Sequence, residues 1–330
     1  MRKFLQEYGV LVAFVVLLAI NVATRGESFL QAENVRNLLS QNAYVGIIAI
    51  GMTFVVMTAG IDLSVGSMVA VCGAACVLVL NKQAGGGASD SAAIFAAFFG
   101  AVGVGTLAGA LNGVTIAYGK VAPFVVTLAG LAAFRSIALV LGEGGEIRSE
   151  VLSFQDIGFG GIDVPFLRTA VGQPLTIYWS LFAFLAVALL ASFVLNTTRF
   201  GRYVIAVGAN ERAAKYSAIN AQTVKVAAYT MLGALVGLAG FLNAARMNSV
   251  GTGSAGTFYE LDAIAAVVIG GTSLRGGKGR IWGTVVGVVL LTLISNMMTA
   301  FRIDTNWQGL VRGGVILVAV LLQRGSKASE

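Results

Sequence analysis

Long apolar runs, separated by short polar or charged segments, constrain this chain more than any other feature of its sequence. A helix needs about 20 residues to cross the hydrocarbon core of a bilayer. Runs near that length predict about ten membrane-spanning helices. They lie at residues 8–23, 43–59, 65–80, 92–118, 123–141, 175–195, 224–246, 261–271, 281–299 and 307–322. The predicted fold class is all-α, a polytopic membrane protein with a single transmembrane domain over residues 1–330.

Two of these runs, at 65–80 and 261–271, are short for a crossing, which suggests broken or re-entrant helices. Before the second span, residues 32–41 could form a surface helix.

Glycines recur every four residues in three of the runs, and small residues at this spacing let helix backbones approach closely. These glycines are Gly105, Gly109 and Gly113, then Gly233 and Gly237, then Gly283 and Gly287.

Charges orient the predicted spans. Lys and Arg concentrate in alternate connections, which the positive-inside rule places in the cytoplasm. Because an even number of spans returns the chain to its starting side, both termini are predicted to be cytoplasmic. The acids predicted to lie outside are Glu27, Glu33, Asp90, Glu143, Glu146, Glu150, Asp156, Asp163 and Asp304. The net charge of +7 therefore needs no nucleic-acid partner.

The chain contains no histidine, which excludes Ser-His-Asp triads, His-metal sites and proximal-His haem. The two cysteines, Cys72 and Cys76, lie in an apolar run, where thiols behave as small buried hydrophobes. Two glycine-rich segments, at 103–108 and 276–279, fail the requirements of nucleotide-binding motifs. We therefore predict no catalytic residue, no metal and no cofactor. If ATP drives this protein, another subunit binds it.

Asp62 and Arg135 are charges out of place. Asp62 lies in the segment GIDLSVGS between two apolar runs, where a carboxylate is costly unless it is hydrated or paired. It could serve function, or Asp62 or Ser64 could simply cap the next helix. Arg135 lies within an apolar run that begins at Pro123, and it must face the protein interior, pair or snorkel.

The most basic soluble segment is residues 196–223, which separates two apolar runs. Asn210 is placed to cap a short helix from Glu211 to about Ile219, with Lys215 one turn after Glu211. Such a helix between two spans suggests a docking element. It is equally the pattern of an ordinary cytoplasmic loop with a helical turn.

These segments, in order along nearly the whole chain, resemble the ribose-type ABC sugar permeases. The motif GIIAIGMTFVVMTAGIDLSVGS at residues 46–67 is similar to a hallmark of that family. Further similar segments are 123–130 with Arg135, 198–202, 210–214, 261–274, 276–279 and 309–323. The outer loops near 81–90 and 143–173 depart most from the family pattern.

The resemblance implies a subunit that imports a monosaccharide across the bacterial inner membrane by alternating access. Implied partners are a cytoplasmic ATP-binding subunit, a periplasmic sugar-binding protein and a second permease copy or sister permease. In that family the loop at 196–223 carries the coupling helix. The residues expected to contact the ATPase subunit are therefore Asn210, Glu211, Arg212, Ala213 and Ala214.

The candidate pathway or gate residues are Asp62, Ser64, Thr127 and Arg135. We expect substrate selection to rest mainly on the external binding protein, because the chain offers few polar groups to a sugar. The alternative is an ion-coupled secondary transporter of a small polar solute, in which Asp62 beside a broken helix would bind a cation.

Overall fold

The computed structural model describes residues 2–169, 172–304, 307, 309–311, 313–314 and 317, with the backbone alone at 2–13 and 28. Its larger helices are α1 (Arg2–Arg25), α3 (Ala32–Gln41), α4 (Ala43–Met57), α5 (Val65–Gly85), α6 (Asp90–Ala117), α7 (Pro123–Leu141), α9 (Trp179–Thr197), α10 (Arg199–Ala209), α12 (Ala221–Met247), α13 (Tyr259–Ile269) and α14 (Ile281–Ala300). Shorter helices are α2 (Glu27–Leu30), α8 (Gln155–Phe159) and α11 (Glu211–Tyr216). Between α7 and α13 lie β1 (Glu146–Arg148), β2 (Gly161–Arg168), β3 (Pro174–Tyr178) and β4 (Ser249–Gly251).

The fold is helical and polytopic, but the expected number of spans is not confirmed. Among the described residues, six helices are long and apolar enough to cross a membrane, namely α5, α6, α7, α9, α12 and α14. A seventh span results if α3 and α4, which meet at a 46° bend, are counted together. α1 contributes the apolar stretch Phe14–Arg25, and most of residues 307–322 lies outside the described residues. The cytoplasmic location of both termini stays a prediction.

The two runs predicted to be short differ in the structure. α5 is a continuous helix of 21 residues, so the expectation of a broken helix there was wrong. The sequence-based span ended at Leu80, before the polar residues of the last turn, whereas the helix continues to Gly85. α13 has only 11 residues, about 16 Å at 1.5 Å per residue, which is too short for a crossing.

Two small two-stranded antiparallel sheets interrupt the helical pattern. β1 pairs with β4, and β2 pairs with β3. The β2–β3 sheet belongs to the segment between α7 and α9, which the sequence analysis treated as a long outer loop. The β1–β4 sheet joins that segment to the chain just after α12.

α12 lies against α4, α5 and α6, and glycine brings it closest to α6. A Cβ atom on Gly105 would overlap the carbonyl oxygen of Gly233, and one on Gly109 would overlap the carbonyl oxygen of Tyr229. Gly237 meets the backbone of Ala101 in the same way. The glycine spacing read from the sequence therefore marks a real backbone-to-backbone helix crossing.

After α12 the chain does not leave the bundle. Val250 contacts Gly73 of α5, and Gly256 contacts Gly66, seven residues earlier on the same helix. The non-helical segment 249–258, a short strand followed by turns, thus runs along α5 for roughly 10 Å before α13 begins. Non-helical backbone at such depth is tolerated where protein covers it or where it lines a cavity.

Candidate functional site

The turn between α4 and α5 buries a carboxylate completely. Asp62 has no exposed surface, and its Oδ1 accepts hydrogen bonds from the backbone N–H of Ser64 at 2.8 Å and from Ser64 Oγ at 2.6 Å. Its Oδ2 accepts from Nδ2 of Asn112 at 3.3 Å, and the same nitrogen lies 2.9 Å from Ser64 Oγ. A buried carboxylate is tolerated when donors converge on it in this way.

Asp62 and Ser64 both shape the start of α5, and Asp62 also makes a tertiary contact. Ser64 is the N-cap residue of α5, but its side chain makes no capping hydrogen bond. Asp62 holds the N–H of Ser64 instead, which fixes the entry into the helix. The hydrogen bond between Asp62 and Asn112 of α6 is not a helix cap, because it connects elements 50 residues apart.

Two further side chains hold the same turn at the carbonyl oxygen of Ile61. Tyr229 of α12 donates its hydroxyl to that oxygen at 3.2 Å. Thr127 of α7 lies 3.4 Å from it, although its shorter hydrogen bond, 2.9 Å, goes to the carbonyl of Pro123. The polar cluster, as we call Asp62, Ser64, Asn112, Thr127 and Tyr229, joins four elements and is at most 3% exposed at every member.

The polar cluster contains three predicted residues and two that the sequence analysis missed. Asn112 and Tyr229 were not singled out. Asn112 could have been found, because it is the one amide side chain of α6 and lies between Gly109 and Gly113. Tyr229 carries no comparable signal, since a tyrosine in a long apolar helix is common.

The polar cluster lies inside the helical bundle. Asn112 is five residues from the end of α6, and Thr127 is four residues from the start of α7. Tyr229 is eight residues from the start of α12. At 1.5 Å per residue these positions are roughly 6 to 12 Å from the helix ends.

Arg135 lies apart from the polar cluster. It is eight residues beyond Thr127 on α7, roughly 12 Å along the axis. Its Nη1 donates to the carbonyl oxygens of Thr252 and Ala255, at 2.9 and 3.0 Å, and Glu260 supplies a nearby negative charge. Arg135 therefore faces the protein and anchors the descending segment 249–258.

The short helix predicted after Asn210 is present. Asn210 Oδ1 accepts from the N–H of Ala213 at 3.0 Å, which confirms the predicted cap. The helix ends at Tyr216 and not near Ile219 as predicted. The end comes early because Ala218 adopts a left-handed conformation with φ 58°, and the N–H of Ile219 returns to the carbonyl of Ala214.

One carboxylate fastens this helix. Glu211 contacts Lys215 at 2.9 Å within α11 and Lys225 at 2.7 Å on α12. The hydrogen bonds from Lys225 and then Lys215 lower the pKa of Glu211 below its usual value. Arg212 and Ala213 face solvent, and Tyr216 is 92% exposed, whereas Ala214 is only 4% exposed and packs inward.

Residues 34–320 match a family model described as the permease component of branched-chain amino acid transport systems. The chain belongs to this permease family. The ribose import permease of Escherichia coli K12 is 38% identical over 97% of this chain and 94% of its own length. That of Bacillus subtilis 168 is 40% identical over 94% and 91%. The xylose transport system permease of Haemophilus influenzae Rd is 35% identical over 98% and 97%. No solved structure matches the chain.

In this multi-pass permease, α10 and α11 are connected to the turn of the polar cluster through close backbone contacts at the end of α4. A Cβ atom on Gly208, at the end of α10, would overlap the carbonyl oxygen of Met57 at the end of α4. The N–H of Gly277 donates to that same oxygen at 2.9 Å. Gly276 and Gly277 form a turn with φ of 83° and 74°, which explains the glycines without a nucleotide.

Proposed function

We propose that this permease is the membrane-spanning subunit of an ATP-driven monosaccharide importer of the bacterial inner membrane. The observation that carries the proposal is similarity over nearly the full length to permeases named for ribose and xylose. The ion-coupled alternative is not favoured by these relatives. A pentose or hexose is the substrate class that we assign.

The energy for transport would come from a separate cytoplasmic ATP-binding subunit. A periplasmic sugar-binding protein would deliver the substrate, and a second permease copy or a sister permease would complete the membrane part. Residues 1–330 would form one transmembrane domain with both termini in the cytoplasm, and 196–223 would be its coupling loop. The permease would have no nucleotide site of its own. Residues 103–108 lie within α6, and the 276–279 turn packs against α10, which supports this division.

Docking to the ATPase would use the exposed face of α11. Arg212 and Ala213 would contact the ATPase directly, with the adjacent Tyr216 added by its exposure. The other three expected contact residues would support docking indirectly, by holding α11 in place. Asn210 starts the helix, Glu211 ties it to α12, and Ala214 seats it.

Movement of α11 would reach the pathway through the contact of Gly208 with Met57. Gly208 lies two residues before Asn210 in the chain, and Met57 lies five residues before Asp62. Because the backbones touch, a rigid-body shift of α10 and α11 would displace the turn that carries Asp62 and Ser64. Alternation between inward- and outward-facing states would follow, with Asp62, Ser64 and Thr127 at the gate and Arg135 holding the segment 249–258.

The Arg212→Glu variant tests the docking assignment. We expect ATP-dependent ribose or xylose uptake into cells to fall at least about tenfold, the loss that 1.4 kcal/mol of docking energy produces. Membrane insertion should stay normal, because Arg212 is exposed. Lys82→Glu makes the same charge change at an exposed position on the predicted outer side and is the matched control. Equal uptake by Arg212→Glu and the wild type would refute the docking assignment.

The ion pairs of Glu211 are expected to make the stability of α11 depend on pH. Because the pKa of Glu211 is lowered in the folded protein, its pairs stabilise α11 above the ordinary carboxyl pKa. This contribution is lost as the pH falls through the lower, folded value. We expect hydrogen exchange at α11 to be unchanged between pH 7 and 5 after correction for intrinsic rates, and protection to fall at more acidic pH. Glu211→Gln should remove this acid-dependent step, and a step that persists in the variant would assign it to another group.

A further inference from the structure

A basin of about 700 Å³ opens at the end of the bundle away from the docking helix. It is lined by residues 144–146, 243, 247, 249–257 and 259, and we call it the basin. Asn243 and Met247 of its wall belong to the last turns of α12, whereas Lys225 ties α11 to the first turns. Its volume falls within the roughly 300 to 1,000 Å³ of small-molecule sites.

The wall of the basin is mostly uncharged and combines polar groups with apolar surface. It combines the hydroxyls of Ser254 and Thr257, the amide of Asn243 and the ring of Tyr259 with the backbone groups of the descending segment. The carboxylate of Glu146 is held in place by Ser249, whose Oγ donates to it at 2.5 Å. A sugar presents hydroxyl groups that both donate and accept, together with an apolar C–H face. This wall offers partners for both.

The charges that line the basin favour a sugar over an amino acid as its ligand. No Lys or Arg is among the described residues that line the basin. The nearby Arg135 donates its Nη1 to the carbonyls of Thr252 and Ala255 behind the wall. An amino acid would bring a carboxylate that needs a cation or several free N–H donors. A neutral polyol carries no such requirement.

The basin and the polar cluster are close together in the structure. Gly256 touches Gly66, and a Cβ atom on either residue would overlap the carbonyl oxygen of the other. Gly66 follows Ser64 by two residues. The contact of Gly256 with Gly66, beside which the carboxylate of Glu260 also lies, separates the basin from the turn that carries Asp62. Segment 249–258 therefore forms the wall and part of the barrier. Irregular backbone that lines a cavity at a broken span is where transporters hold their substrates.

We propose that the basin is a binding site for a neutral monosaccharide within the permease, occupied before the contact of Gly256 with Gly66 opens. This inference rests on the proposed function and gives the permease a part in choosing the substrate. It revises the expectation that selection rests mainly on the binding protein, because backbone groups and distant side chains supply the polar wall that the sequence did not reveal.

Protection of an introduced cysteine tests the proposal in the assembled importer in liposomes, supplied with the binding protein. Ser254→Cys places a thiol in the wall, where an impermeant maleimide can reach it, while Cys72 and Cys76 are fully buried. Ribose or xylose at ten times its half-saturating concentration should slow labelling about tenfold. Leucine should not slow it. Ser91→Cys, exposed at the start of α6 and outside the basin, should label equally with and without sugar.

A second variant tests the wall itself. Asn243→Leu in the Ser254→Cys background should raise the sugar concentration needed for protection about tenfold, as expected when a hydrogen-bonding group of a polyol site is lost. An unchanged concentration would remove Asn243 from the site.

ATP-dependent uptake by the wild type separates the two claims. Uptake without protection of Ser254→Cys would overturn the sugar site and leave the proposed function standing. Protection without ATP-dependent uptake would overturn the proposed function and leave the site. Equal protection by leucine would overturn the assignment to sugars, and the absence of both uptake and protection would overturn both claims.

Discussion

Replacing Asp62 with alanine is expected to abolish sugar uptake and to lower the free energy of unfolding by about 3 kcal/mol or more. The substitution removes the acceptor of two buried donors, the N–H and the hydroxyl of Ser64, and takes one of its two acceptors from the amide of Asn112. Each buried donor left unsatisfied costs about 1–3 kcal/mol. Detergent-denaturant titration of the purified permease measures the stability loss, and uptake in cells measures the functional one.

Asp62→Asn is the matched control, because it keeps an acceptor oxygen of the same size at the same place. We expect it to fold with a loss of about 1 kcal/mol, since the oxygen can still accept from Ser64. Its new N–H₂ group would face the amide of Asn112. If Asp62→Asn is as unstable as Asp62→Ala, the charge matters more than the acceptor. Normal stability and uptake of Asp62→Ala would contradict the role of the polar cluster.

Replacing Gly105 with leucine is expected to prevent the permease from folding. Its Cβ atom would overlap the carbonyl oxygen of Gly233 and lie 2.8 Å from the nitrogen of Gly237. Both neighbours are backbone atoms, so no side chain can rotate away. Overpacking a core costs about 1–3 kcal/mol when side chains can adjust, and separating α6 from α12 forfeits much more contact. Size-exclusion chromatography and limited proteolysis after detergent extraction would measure the folded fraction.

Gly103→Leu controls for leucine on the same helix. A Cβ atom on Gly103 meets nothing within 4 Å, so the side chain has room. We expect this variant to extract and resist protease as the wild type does. Equal folded yields of Gly103→Leu and Gly105→Leu would show that the crossing of α6 and α12 does not determine stability.

Local signals predicted several elements with their bounds. The helix that begins at Pro123 ends at Leu141 as predicted, and Ala32–Gln41 is helical as predicted. Asn210 caps its helix because a capping hydrogen bond spans three residues and depends on little else. Pro123 favours the start of α7 because the fixed φ angle of proline already matches the first position of a helix.

The number of spans could not be predicted in the same way. Apolar length alone cannot separate a crossing helix from the half-length α13, which continues a descending non-helical segment. That segment depends on Arg135, 117 residues from Thr252, and on the contact of Gly256 with Gly66. No local pattern encodes either contact.

The sequence by itself determined the membrane class, most helices, the capped helix after Asn210 and three members of the polar cluster, because hydropathy, glycine spacing and capping act within a few residues. Only the tertiary structure added Asn112 and Tyr229 to Asp62, placed Gly208 on Met57 and formed the basin. Those features join residues that lie far apart in the chain. Their hydrogen bonds and backbone contacts exist only once the helices have packed, because a buried polar group takes whichever partner the packed helices bring within reach.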